Sequence, residues 1–520
     1  MLNELILELK QKNAHLYLQD GKLRCKAPST VLTSDLKETL QVHKTELIEY
    51  LMEFQQGEPA LSVPVSRDGN QPLSFAQQRL WTLAQFDPCS VAYNIPGAIR
   101  LIGKLDTAVL KKSLYEIIRR HEILRTCFHV EAGRPVQVIV PELTLEMTVV
   151  DLSNATEAER NSETLRYLAE EAQRPFDLTQ SPLVRATLLS LGASAACDDV
   201  EHILLFTLHH IISDGWSASI LIREFVALYQ AYSAARPSPL PELTIQYADY
   251  AAWQRGWLQG ERLAQQLNYW KQQLDGAPGL LELPLDRPRP TVQRYRGASY
   301  RFTVPQAITE QLKALSRQAE ATLFMTLLTC FNMLLCRYSG QQDICIGTPV
   351  ANRSRIEIEA LIGFFVNTLV IRTDLSGDPT FNQLLKKVKA VCLGAQAHQD
   401  LPFEKLVEEL APVRDMSRSP LFQVMLTLQN TPEATFDIDG LQVIPVEMAT
   451  GSVKFDLDLE VTERQDGLEA LFNYNTDLFD EATITRMAGH FRYLLESIVS
   501  SPDKRLAELS LLADAERQQL

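Results

Sequence analysis

The run His209-His210-Ile211-Ile212-Ser213-Asp214-Gly215 gathers residue types able to move a proton or hold a reacting group. A neutral imidazole accepts a proton from an attacking amine or hydroxyl, a role worth about 10² to 10⁴ in rate, while a nearby carboxylate fixes its geometry. Both histidines follow the strand-like run Ile203 to Leu208, so adjacent side chains point to opposite faces and only one of them readily faces a cleft. A His-His pair at a strand end is, by itself, more often structural than chemical, and the two readings stand side by side at this point. Adjacent histidines turned apart also chelate poorly, and no third ligand stands at a recognisable spacing, so no metal is expected. Asp214-Gly215 supplies a turn, with Gly215 permitting a backbone conformation or a close ligand approach that a Cβ would resist.

The elements that must position this run alternate in type. Thr107 to Arg120 has a helical pattern, while Val136 to Val140 and Ile203 to Leu208 are apolar strand-like runs, an α/β pattern. A breaker-rich stretch from Gly276 to Gly297 holds Pro278, Pro284, Pro288 and Pro290, and a second helix and strand series runs on to about Val499. Two lobes of similar size are therefore expected, over 72–275 and 276–500. Ahead of them, residues 1–54 read as a small α+β unit. Leu2, Leu5, Ile6 and Leu9 make one helical stripe and Leu36, Leu40, Leu47, Ile48 and Leu51 another, with a hairpin between them around Asp20-Gly21. Residues 55–71, carrying Gly57, Pro59, Pro64 and Gly69, lack periodicity and read as a linker. The tail, 501–520, reads as the start of a linker to a following module.

Composition narrows the classes. With 520 residues the chain exceeds one ordinary core, and 46% hydrophobic with 22% charged residues is an ordinary globular mixture. A net charge of -15 disfavours a nucleic-acid partner, which needs Lys and Arg against phosphates. Eight cysteines include no C-x-x-C pair and read as reduced thiols, several of them core fillers. The N-terminus lacks the basic flank and apolar stretch of a secretion signal, and no segment reaches the about 18 to 20 apolar residues that span a bilayer. A cytoplasmic protein without a membrane partner is the expectation.

Leu208-His209-His210-Ile211-Ile212-Ser213-Asp214-Gly215-Trp216-Ser217 resembles the HHxxxDG core of condensation domains from nonribosomal peptide synthetases. Six further segments resemble that family in the same order: Ser74 to Trp81, Arg120 to Phe128, Tyr247 to Trp253, Ile362 to Thr368, His398 to Glu404, and Arg414 to Val424. The resemblance covers about residues 72 to 500. Residues 1–54 are similar to the small N-terminal docking domains, of helix-hairpin-helix type, that join separate synthetase chains of such assembly lines.

That resemblance implies two chloramphenicol-acetyltransferase-like lobes in a V, with a tunnel between them whose mouths admit the 4'-phosphopantetheine arms of donor and acceptor carrier proteins. No tightly bound cofactor is implied. The reaction implied is amide formation, in which the acceptor's α-amine attacks the donor's acyl thioester. His210, matching the second motif histidine, is the residue expected to orient that amine or take its proton. His209 and Asp214 are expected to be structural, with Arg353 from the opposite lobe pairing with Asp214 and Arg355 as its rival. Gly215 and Trp216 are expected to line or brace the tunnel, with core packing as the other reading for Trp216. Arg79 is open between surface and brace, and Asn367 and Gln429 between the lobe interface and ordinary packing or exposure. His121, His129 and His398 have no partner apparent in sequence and read as structural.

The pairing of Arg120-His121-Glu122 with Ser213 to Ser217 resembles members that take an L-configured donor, and starter members that attach a fatty acyl group look similar. The docking-like unit favours an upstream synthetase subunit as partner, and a downstream adenylation domain is expected in the same natural chain. Epimerising and heterocyclising relatives fit poorly. Relatives that serve as silent recruitment platforms commonly lose the second histidine, which this chain keeps as His210.

Overall fold

The computed structural model describes residues 15–19, 22–26, 40, 41, 43, 44, 47, 61, 64–67, 69–193, 200–410, 415–429, 436–438, 440–446, 448 and 451–511. The expected helical stripes of residues 2–9 and 36–51, the Asp20-Gly21 turn and the end of the tail lie wholly or mostly outside them. His15–Gln19 and Lys22–Lys26 do pair as an antiparallel hairpin, with Gln19 opposite Lys22.

Two six-stranded mixed sheets organise the rest, each covered by helices in the two-lobed manner of chloramphenicol acetyltransferase. In the first sheet, Val200–His209 is a central strand, antiparallel to Asn94–Gly103 on one side and Val184–Ala193 on the other. Ile203, Leu204, Leu205, Thr207 and Leu208 are all buried, so both faces of this strand are covered, which is what an unbroken apolar run needs. The second sheet runs in the order 297–305, 467–475, 457–464, 424–429, 343–350, 367–374. Leu457, Leu459 and Val461 turn into its core while Asp458 and Glu460 take the other face, the period of two of a strand.

The expected division at residue 276 is not the division in space. Leu441–Val446 pairs with Asn94–Gly103 and carries Phe436–Ile438 with it, so the second half of the chain supplies the edge of the first sheet. Ile358, Leu361, Ile362, Phe364 and Phe365 also belong to the first core. The crossing strand hides Leu441 and Val443 against first-lobe residues, a burial that only the tertiary fold makes available.

The described part of the expected linker, 55–71, is likewise packed rather than free. Leu61 is buried in the first core, and Arg67 forms a two-pronged bond to buried Asp249 (2.7 and 3.0 Å) and another to Glu122. The reason is charge: Asp249 sits at a helix start inside the fold and needs a fixed cation. Among the described cysteines Cys127, Cys330, Cys336, Cys345 and Cys392 are buried free thiols and Cys89 is an exposed one. No single helix among the described residues is long and apolar enough to cross a membrane.

Candidate active site

The central strand ends on His209, and His210–Ile212 is a short 3₁₀ turn. His210 is thus the first residue of the turn rather than the last of the strand, yet the two rings still part. His209 is buried, its ring 6.0 Å from Phe176 and 6.5 Å from Tyr93, and its Nδ1 accepts the Ile211 N–H at 3.1 Å. It caps the turn that carries His210.

The His210 ring lies 4.6 Å from the Phe364 ring, and its Nδ1 is 2.8 Å from the Ser213 carbonyl oxygen. A carbonyl only accepts, so Nδ1 carries the hydrogen and Nε2 presents a lone pair. Among the described residues Nε2 has no hydrogen-bond partner. Burial pushes the imidazole down to about 3, and the nearby Lys454 adds to this, against the pull of Asp214 and of the bond to Ser213. His209 is held at about 3 chiefly by burial, with His210, Lys454 and Arg185 contributing. Both rings are neutral near pH 7.

Asp214 is the N-cap of helix Gly215–Ser233, where its Oδ1 accepts the Ser217 N–H at 2.9 Å, satisfying a helix donor that has no partner inside the helix. The same oxygen meets Arg353 Nη2 at 3.2 Å and lies 2.7 Å from the Ser217 hydroxyl. Its Oδ2 accepts the backbone N–H groups of Phe365 (2.9 Å) and Val366 (3.3 Å). Arg353 Nη1 donates to the carbonyls of Ile358 and Leu361, both at 2.7 Å, and the guanidinium lies 4.1 Å over the Phe365 ring. With Asp214 2% and Arg353 7% exposed, this is a buried ion pair joining the two halves of the chain. Arg355 instead lies over the Trp253 ring at 4.8 Å.

Gly215 is the first residue of the helix without a left-handed φ, so the backbone reason for a glycine does not apply. A Cβ there would meet no atom within 4 Å, which leaves open space beside the turn. At Gly363 the glycine is obligatory, since a Cβ would fall 2.0 Å from the Tyr247 ring. Trp216 is not core: it is 39% exposed, and its indole N–H donates to Glu359 across the halves at 3.2 Å. Arg79, on helix Phe75–Phe86, bonds Glu404 at 3.2 Å and lies 5.3 Å from the Phe403 ring, so it bridges the halves. Asn367 is buried and binds the carbonyls of Gln399 and Leu401 and the N–H of Phe403, which fixes the segment that presents Glu404.

Gln429 is apart from the site, an exposed strand residue bonded to Glu460 of its own sheet. His121, without an apparent partner in sequence, in fact shares Glu224 with Arg120, and its Nδ1 lies 3.4 Å from the Ile362 N–H. Helix packing brings Glu224 to it from 103 positions away.

Two side chains beside the turn, and an acid within electrostatic reach of one of them, went unrecognised in the sequence. Lys454 places its ammonium 4.8 Å from the Tyr93 ring, and the Tyr93 carbonyl accepts the His210 N–H at 2.8 Å. Asp458, four residues on, has a buried Oδ1 without a hydrogen-bond partner. The visible signal was the alternation Leu457-Asp458-Leu459-Glu460, acids on one face of a central strand.

Comparison with known proteins gives a consistent picture. A family model described as Condensation domain matches residues 67–520, and one described as TubC N-terminal docking domain matches residues 2–53. One component of the linear gramicidin synthase of Brevibacillus parabrevis is 49% identical over 92% of this chain and 6% of its own length. A second component of the same synthase is 51% identical over 88% of this chain and 9% of its own. The chain thus spans less than a tenth of either relative. Among solved structures, that of a complex of the X-domain and OxyB from teicoplanin biosynthesis superposes with a TM-score of 0.79 at 32% identity, covering 88% of this chain and 99% of that one.

Proposed function

This chain belongs to the condensation domain family, and from that premise we propose that it forms an amide bond, as part of a nonribosomal peptide synthetase. The donor is an acyl or peptidyl thioester and the acceptor the α-amine of an aminoacyl thioester, each on the phosphopantetheine arm of a carrier protein. The new N–C bond forms as the C–S bond breaks; the proton lost by the amine ends on the departing sulfur. The observation that carries the reading is the Nε2 lone pair of a neutral His210, held by its Nδ1 bond to Ser213.

An imidazole whose conjugate acid sits at about 3 is a poor store for a proton. His210 therefore acts mainly by accepting a hydrogen bond from the amine and aiming its lone pair, and alignment of two reactants is worth about 7 to 11 kcal/mol in favourable cases. Asp214, Arg353 and His209 hold the turn that aims it. The donor is taken to be L-configured on the motif pattern alone, since Arg120 and His121 are committed to Glu224 inside the fold. The docking-domain match supports an upstream synthetase subunit as the partner of residues 1–54, and a downstream adenylation domain completes the expected arrangement.

The test is transfer between loaded donor and acceptor carriers, read by intact-protein mass spectrometry. Wild type should move the acyl chain, and His210→Ala should lower the rate about 10²-fold at an unchanged melting temperature. Undiminished turnover in that variant would sink the assignment of His210. A second reading is favoured by the likeness to the X-domain, whose solved structure is a complex with OxyB: a recruitment platform for another enzyme. A wild type that binds carriers yet transfers nothing across fatty acyl, aminoacyl and peptidyl donors selects it.

A further inference from the structure

Lys454 reaches from the second half of the chain to the turn that bears the histidines. Its ammonium lies over the Tyr93 ring, whose backbone carbonyl holds the His210 N–H and whose ring neighbours His209. The neighbouring Arg79 is committed to Glu404, as Arg353 is to Asp214 and Arg185, beside His209, is to Glu171. Lys454 has no carboxylate within bonding distance among the described residues, and a π face is its only short-range partner there. A half-buried ammonium kept this way is costly in the resting fold unless something satisfies it at another stage. Attack on a thioester creates what is missing, a negative charge on the carbonyl oxygen.

We propose that Lys454 is a further catalytic residue, whose ammonium donates a hydrogen bond to the acyl oxygen of the donor thioester as the amine attacks beside His210. This rests on the acyl-transfer reading above. As the N–C bond forms, the carbonyl π pair moves onto oxygen, where Lys454 meets it. The pair returns as the C–S bond breaks, the proton from nitrogen ends on the thiolate, and Lys454 keeps all its protons. A fixed donor in a cleft with little water is effective because it need not reorganise when the charge develops. Burial and the nearby Arg79 bring the ammonium down to about 8, against the pull of Asp458, so it is still largely charged at pH 7.

Single-turnover transfer between preloaded carriers, with the whole chain, tests this. Lys454→Met should slow transfer about 10²-fold with carrier affinity unchanged and a melting temperature no lower than wild type. Lys454→Arg, which keeps the charge, should stay within about tenfold of wild type. A Met variant at the wild-type rate overturns the proposal. So does an Arg variant as slow as Met with both melting lower, since the side chain is then only a packing element. His210→Ala run in parallel separates the two readings: a slowed His210→Ala beside an unaffected Lys454→Met refutes only the role of Lys454. A wild type that transfers nothing refutes the acyl-transfer reading and this proposal together.

Discussion

Within the nine residues from His209 to Ser217 the chain passes between two polar regions built on opposite terms. At Asp214 both carboxylate oxygens are taken up, by the N–H groups of Ser217, Phe365 and Val366, the Ser217 hydroxyl and Arg353. Around His210 and Lys454 polar atoms are left open: the His210 Nε2, the Lys454 ammonium and one oxygen of Asp458, within electrostatic reach of that ammonium, have no hydrogen-bond partner among the described residues. A saturated charge fixes shape, because any movement loses several bonds at once. An unsaturated one is tolerated only where saturated neighbours hold it, and its unmade bonds remain for a substrate.

The largest expected effect breaks the saturated side. Asp214→Ala strands the Arg353 guanidinium in a site where it is 7% exposed and removes the acceptor of three backbone N–H groups. Loss of one partner of a buried pair costs about 3–5 kcal/mol, far more than the net worth of the pair. The urea midpoint of Asp214→Ala should fall accordingly while that of His210→Ala stays near wild type. Adding Arg353→Ala to the Asp214 variant should cost little more, or even restore stability, since the stranded charge goes with it. Equal midpoints for Asp214→Ala and wild type would erase the contrast between the two regions.

The next effect reads the open side. Lys454 is held at about 8 by burial and Arg79, so its charged form is present below that pH and lost above it. Transfer at saturating carriers should therefore drop about tenfold between pH 8 and 9.5, in proportion to the remaining ammonium. The groups facing it are Tyr93, His209, His210, Arg79 and Asp458. Of these His209 and His210, near 3, stay neutral over the whole range and add no inflection. Lys454→Arg should flatten the alkaline limb. A wild-type rate that holds to pH 9.5 contradicts the need for this charge.

The same contrast explains what could be read from sequence. The saturated region was largely legible, because its parts are local or carried by motifs: a cap residue before a helix, a strand-end pair, and an arginine within a recognisable segment. It is Arg353, within that segment, that meets Asp214, while Arg355 lies over Trp253. The open region was not, because Lys454 and His210 are 244 positions apart in the sequence and meet only through the packing of the two halves. The same holds for Leu441–Val446, a short apolar run like any other until Asn94–Gly103 offers it an edge. Periodicity reports which face of an element is apolar, and says nothing of which sheet will cover it. Gln429 and Trp216 show the converse limit, since a place within a sequence pattern fixes neither exposure nor neighbours.

Asp458 carries the smallest and most discriminating effect. Burial, then the neighbouring Glu460, raise its carboxyl to about 7, against a bond to Asn473 and the attraction of Lys454. The folded state thus holds this proton more tightly than the unfolded chain, whose carboxyl titrates near its ordinary 3.8. Stability from this group is complete below pH 3.8 and is lost as the pH rises toward 7. Asp458→Asn removes the buried charge without changing the shape, so it should raise the melting temperature by about 2 °C or more at pH 8 and leave it unchanged at pH 4. It also removes the carboxylate that favours the charged form of Lys454, so the alkaline limb of transfer should shift below pH 8. A melting gain of the same size at both pH values would mean that packing, not charge, limits stability there. A limb that does not move would uncouple Asp458 from Lys454 and leave His210 and Lys454 as the whole of the open region.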